Sequence, residues 1–154
     1  MPAVSVFIDS NVLLYGRDRN LSDKAELSNQ WIRALAARGI ARANLQVYNE
    51  VTEVMLRKRK DLSPSEVFAS VDEIAFLGLS PLSEQTVHRA RQIRLNTAYS
   101  WWDCLLLASA IQLGCTHFLS EDLQDGQRIV AGDGRGLTII DPFAHSPDQI
   151  LRSE

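Results

Sequence analysis

Apolar positions along the chain alternate between short β-branched runs and longer stretches where they recur every three or four residues. Val4, Val6, Phe7 and Ile8 form the first run, as a strand buried on both faces would. It breaks at Asp9-Ser10-Asn11, and an apolar segment resumes at once and reaches Tyr15. Asp23-Lys24-Ala25-Glu26 has the form of a capping box, predicting a helix with Leu27, Trp31, Ile32 and Leu35 at helical spacing and Gly39 at its end. Ile40 to Ala43 is a short strand candidate, and Asn44 is placed to cap a second helix carrying Val47, Val51, Val54 and Met55. Ser63-Pro64-Ser65-Glu66 opens a third, with proline at the first helical position. The apolar run Ala75 to Leu79 predicts another short strand, and a helix opens near Ser83 with Val87, Ala90 and Ile93. Ser100 to Gly114 is apolar nearly all round, which predicts a largely buried helix. Thr116 to Leu119 and Leu137 to Ile140 read as the closing strands. Strands alternating with helices imply a mainly parallel sheet covered on both faces, in one α/β domain over 1–154.

Composition narrows the class. With 154 residues, 45% hydrophobic and 23% charged, the chain has the make-up of a soluble globular domain. No apolar run approaches the roughly 20 residues that span a bilayer, and no secretory signal pattern opens the sequence, so the cytoplasm is the expected location. A net charge of −3 argues against a protein that coats nucleic acid through a basic surface. It leaves room for a nuclease whose acids gather at its site. Cys104 and Cys115 lie about 16 Å apart at helical rise, too far for a disulfide, and fit no zinc spacing, so both read as core thiols. Arg57-Lys58-Arg59-Lys60 falls in the last turns of a helix, where cations complement the dipole.

The informative acids are those at strand ends. Asp9 ends the first strand and Asp122 follows the strand Thr116 to Leu119, so both project from the carboxyl edge of a parallel sheet, where open α/β folds bind ligands. Asp103 sits in the first turn of the buried helix, and Glu50 two turns into the helix begun by Asn44. Each has a local explanation: Ser100-x-x-Asp103 caps a helix, Glu50 sits on a solvated face, and Asp122 and Asp125 suit a turn. Asp9 interrupts an apolar run for no turn-like reason. Carboxylates gathered at one place repel unless protons or cations compensate them, and their natural partner is Mg²⁺ or Mn²⁺. Such ions lower the pKa of a bound water and stabilise charge on a phosphate, which points to metal-dependent phosphodiester hydrolysis.

Five stretches together resemble the PIN-domain ribonucleases, in particular the VapC-type toxins of bacterial toxin–antitoxin pairs. They are F-I-D-S-N-V-L-L-Y at Phe7 to Tyr15, Q-V-Y-N-E-V at Gln46 to Val51, S-W-W-D-C-L-L-L-A-S-A at Ser100 to Ala110, F-L-S-E-D-L-Q-D-G at Phe118 to Gly126, and the closing D-P-F. The resemblance spans nearly the whole length and implies a single PIN domain over 1–154, a three-layer α/β/α sandwich around a mainly parallel, about five-stranded sheet. By the same resemblance Asp9, Glu50, Asp103 and Asp122 are the metal-binding and catalytic acids, and Asn11 and Ser120 support them through hydrogen bonds. The doublet Glu121-Asp122 offers two acids, of which Asp122 keeps register with Ser120. The implied activity is a Mg²⁺- or Mn²⁺-dependent endoribonuclease acting on tRNA, rRNA or another translation-related RNA. The implied partners are a VapB-like antitoxin and a second copy of the chain. Trp101 is a candidate for stacking on a base, and Arg91 and Arg94 for meeting phosphates. No histidine has metal-ligand spacing.

Three other readings compete. A phosphatase with a strand ending Asp-x-Asp needs a second acid where Asn11 stands. Gly132-Asp133-Gly134-Arg135-Gly136 suggests a phosphate loop but precedes a strand and opens no helix, which favours a loop or hairpin-like connection. A housekeeping PIN nuclease of RNA processing, or a PIN module that binds without cleaving, would share the fold; retention of all four acids favours catalysis.

Overall fold

The computed structural model describes residues 3–18, 20, 22–130 and 132–152. Five short strands, β1 (Val6–Ile8), β2 (Ala41–Arg42), β3 (His117–Leu119), β4 (Arg128–Val130) and β5 (Gly136–Ile140), form one sheet in the order β2-β1-β3-β5-β4. All neighbours pair in parallel except β4, which runs antiparallel to β5 at the edge. Val6, Phe7 and Ile8 are each at most 1% exposed. Successive strand residues point to opposite faces, so both faces of the central strand are covered. Phe7 and Phe118, partners in register, stack with centroids 5.3 Å apart.

The described residues form seven helices around the sheet: α1 (Ser10–Gly16), α2 (Asp23–Ala37), α3 (Leu45–Lys58), α4 (Pro64–Asp72), α5 (Glu84–Asn96), α6 (Trp101–Gln112) and α7 (Pro147–Leu151). Asn44, Ser63, Ser83 and Ser100 cap α3, α4, α5 and α6 through their side-chain oxygens, as their positions suggest. Each such cap contributes about 1 kcal/mol and fixes where its helix begins. In α6 every residue from Cys104 to Ile111 is buried, so the helix is core on all sides. The two cysteines are buried and free.

Two local expectations need correction, and two elements were not foreseen. The cap of α2 is Ser22, whose Oγ accepts from Ala25 N at 3.1 Å, and Asp23 instead lies in the first turn, facing the dipole. The Ala75 to Leu79 run is no strand but a 3₁₀ turn, Ala75–Leu77. It closes at Gly78 with φ 126°, where a Cβ would stand 2.9 Å from Ala43 O, so only glycine lets the two backbones approach this closely. β4, with Ile129 alone buried, carries too little pattern to be read as a strand. The short α7, with its Ser146–Gln149 capping box, was likewise not anticipated. The glycine-rich stretch lies between β4 and β5 and opens no helix.

Candidate active site

The parallel strands deliver polar residues to one edge. Asp9 follows β1 directly, its N–H still donating to Leu119 O at 3.0 Å, and it then serves as the N-cap of α1. It is both the last residue of the sheet edge and the first of a helix, which explains the polar break in an apolar run. Its side chain is 4% exposed. Oδ1 accepts from Ser10 N at 2.7 Å and Ser10 Oγ at 3.4 Å; Oδ2 accepts from Ser120 Oγ at 2.8 Å and Asn11 Nδ2 at 3.4 Å.

Ser120, fully buried one residue past β3, holds three groups together. While donating to Asp9 it accepts from Asn11 Nδ2 at 3.1 Å and from Asp122 N at 3.2 Å. Asn11 Nδ2 also donates to Asp122 Oδ2 at 3.0 Å, while Asn11 Oδ1 takes Glu121 N at 3.4 Å. An amide suits this place because its nitrogen faces two carboxylates. An acid there would only add repulsion. Asn11 and Ser120 therefore link Asp9 to Asp122.

Glu121 turns the other way. It ion-pairs with Lys24, and Lys24 Nζ lies 5.3 Å from the Tyr15 ring centroid and 5.1 Å from that of Phe143. Hydrogen bonds from Lys24 and Tyr15 hold the Glu121 carboxyl below its usual range against the opposing effect of burial. Of the acidic doublet, Asp122 is the member whose carboxylate meets Asn11.

The other two acids come from helices. Glu50, half-buried on α3, accepts from Gln46 Nε2 at 3.1 Å. Asp103, third residue of α6, donates its N–H to the cap Ser100 Oγ at 3.1 Å. It is a capping-turn acid and also a neighbour of the cluster. Burial, then the charges of Asp103 and Glu50, push Asp9 up to about 7, against the hydrogen bonds from Ser120 and Ser10. Burial and the charge of Asp122 raise Asp103 as well, against its hydrogen bond with Ser100. Asp103 and Glu50 thus lie near enough to act on Asp9, and Asp122 near enough to act on Asp103.

Among the described residues, no lysine, arginine or histidine ion-pairs with any of the four. Among the same residues, no three acids, histidines or cysteines close into a ready cage for an ion. Mg²⁺ does not need such a cage: it keeps several waters and takes only one or two carboxylates directly. An uncompensated set of hard oxygen donors, one of them buried and costly to ionise, fits a divalent cation.

The remaining candidates lie elsewhere. Arg94 Nη1 closes the end of α5 on Thr97 O at 3.0 Å, and Arg91 is exposed on the same helix. Trp101 is half-buried against the core, whereas Trp102 stands 63% exposed beside the acids. Asp125 accepts from Asp141 N at 2.9 Å and pairs with His145 at 2.8 Å, so it anchors the closing D-P-F segment. Sequence reasoning missed Ser10 and Gln46, which hold Asp9 and Glu50, and the Lys24–Tyr15 pair that holds Glu121. Only Gln46, four residues before Glu50, left a helical-spacing signal.

A family model for the PIN domain matches residues 6–131. No curated protein matches the chain in sequence. Among solved structures, one chain of a toxin–antitoxin complex from Klebsiella pneumoniae is 14% identical with a TM-score of 0.61, covering 90% of this chain and 98% of its own. A chain of VapBC2 from Rickettsia felis, bound to a DNA fragment from its promoter, is 11% identical with a TM-score of 0.58, covering 79% of this chain and 90% of its own. Mycobacterium tuberculosis VapC20, a sarcin–ricin loop cleaving toxin, is 12% identical with a TM-score of 0.56, covering 74% and 87%. At such identities the likeness is one of fold.

Proposed function

The chain belongs to the PIN-domain family, and from that premise we propose that it is a metal-dependent endoribonuclease, the toxin of a VapBC-type pair. The observation that carries the reading is the meeting of Asp9, Glu50, Asp103 and Asp122, from four separate elements, at one sheet end with no basic partner among the described residues. These four residues would hold Mg²⁺ or Mn²⁺, which supplies a water of lowered pKa and positive charge for the phosphate. The protein's own part is positioning. Ser120, Ser10 and Asn11 fix both oxygens of Asp9, and Asn11 ties Asp122 to the same frame. Gln46 steadies Glu50, and the cap at Ser100 sets where Asp103 leaves α6. The phosphodiester to be cut lies among these acids, and water attacks its phosphorus in line with the departing oxygen.

Support for the toxin role comes from the relatives: one is a toxin–antitoxin complex, another a VapBC pair on promoter DNA, and a third cleaves the sarcin–ricin loop. By that analogy the substrate is a structured, translation-related RNA, the partner is a VapB-like antitoxin, and the chain pairs with a second copy of itself. No helix among the described residues is long and apolar enough to cross a membrane; cytoplasmic action is part of the proposal. The deciding experiment incubates purified protein with mixed tRNA and rRNA in Mn²⁺, Mg²⁺ or EDTA. Cleavage that requires the metal and vanishes in Asp9→Asn supports the reading; cleavage that persists in EDTA or in that variant sinks it.

A further inference from the structure

Two grooves meet at the acids, and their walls differ in chemistry. One reaches Asn11 and Asp122 and is lined by Arg17, Lys58 and Arg59, with Asp18 and Glu121 opposite. The other, of about 680 Å³, reaches Ser10 and Glu50 and contains no lysine or arginine. Its apolar lining includes Leu45, Pro81, Leu82 and Trp102. Gln46 and Asn49 also line it, with Asn49 exposed. Trp102 is 63% exposed, and Leu45 and Leu82 are also among the exposed large apolar side chains.

We propose that the Trp102 groove receives an unpaired nucleobase next to the scissile phosphate, with Trp102 as the stacking, specificity-determining residue. This inference deepens the reading of the chain as an RNA nuclease and rests on it. The occupant follows from charge. Away from Glu50, a phosphate is disfavoured in a groove that carries Glu53 and no lysine or arginine, whereas Arg17, Lys58 and Arg59 line the first groove. A base is uncharged, has an apolar face for the indole and donor and acceptor edges for the exposed amide of Asn49. The cavity falls within the 300–1,000 Å³ typical of small-ligand sites. Continuity with the acids then orients the strand: backbone toward Lys58 and Arg59, the neighbouring base toward Trp102. The basic run at the end of α3 is thereby divided: Arg57 pairs with Glu53 on the same helix, whereas Lys58 and Arg59 line the backbone groove, Arg59 while paired with Asp61.

The test measures fluorescence polarisation of fluorescein-labelled hexaadenylate, hexauridylate and an abasic hexamer, with Ca²⁺ replacing Mg²⁺, on the wild type, Trp102→Ala and Trp102→Phe. Trp102 is exposed, so its replacement leaves the fold intact. Trp102→Ala weakens binding of the base-bearing hexamers about tenfold, Trp102→Phe restores most of it, and the abasic hexamer is indifferent to both. Unchanged affinity in Trp102→Ala, an equal loss with the abasic probe, or a wild-type dimer that sediments as a monomer in Trp102→Ala would each overturn the proposal. The last result would mean that a second copy covers this face. Parallel cleavage of a long RNA in Mn²⁺ separates the two readings. Wild-type cleavage with no dependence of binding on Trp102 removes the base site alone; base-dependent binding without any cleavage removes the nuclease reading alone.

Discussion

The two sides of the acid cluster are built differently. Asp9 is buried and accepts from Ser10, Asn11 and Ser120 on both of its oxygens, at the junction of a central strand and a helix. Glu50 is half-buried on the wall of an open groove and accepts from one side chain, Gln46, of its own helix. The two carboxylates are near enough to act on each other, yet one is fixed from several directions and the other steadied from one. On the proposed nuclease reading the difference gives them separate tasks: the buried, cross-linked acid would fix where the ion and phosphate sit, and the acid on an open wall would accommodate substrates of varying shape.

That contrast can be broken experimentally. Asp9→Asn should reduce Mn²⁺-dependent RNA cleavage to the EDTA background, and residual metal-dependent turnover would show that Asp9 is no anchor. Without metal, the same residue should be a liability that grows with pH. Its folded pKa of about 7 lies above the ordinary 3.8. The stability it contributes is therefore complete below about pH 4 and lost as pH rises through about 7, roughly 4 kcal/mol in all. Urea midpoints in EDTA should fall between pH 5 and pH 8 in the wild type and much less in Asp9→Asn; equal slopes would contradict the burial of the charge. Ser120→Ala removes the shortest side-chain donor to Asp9 and should raise the Mn²⁺ needed for half-maximal cleavage about 10- to 100-fold. Gln46→Ala, its counterpart at Glu50, should shift the same midpoint less than about fivefold. If the last two variants behave alike, the two sides are not different in kind.

What could be read from the sequence depended on how far apart the interacting groups lie. Asn44, Ser63, Ser83 and Ser100 announced their helices because a cap bonds to a backbone N–H three residues away. Ala75 to Leu79 misled because a short apolar run looks alike in a strand and in a turn pressed on the core. What decides it is Gly78 beside Ala43 O, a contact between distant segments. The acids at the ends of β1 and β3 could be placed at one sheet edge from the strand pattern alone. Glu50 came to them by family resemblance. The supporting bonds could not be read from spacing: Ser120 to Asp9 spans 111 residues, and Lys24 to Glu121 spans 97. Which of Trp101 and Trp102 faces solvent was equally hidden, because α6 is apolar nearly all round and shows no preferred side.

The bond from Ser120 to Asp9 also has a consequence during synthesis. At roughly 5–20 residues per second, the 111 residues between them take about 6–20 s to translate. Throughout that interval the growing polypeptide carries Asp9 without the strand that positions it. An emerging chain beside the ribosome therefore has no assembled acid cluster until Ser120 and Asp122 have been made.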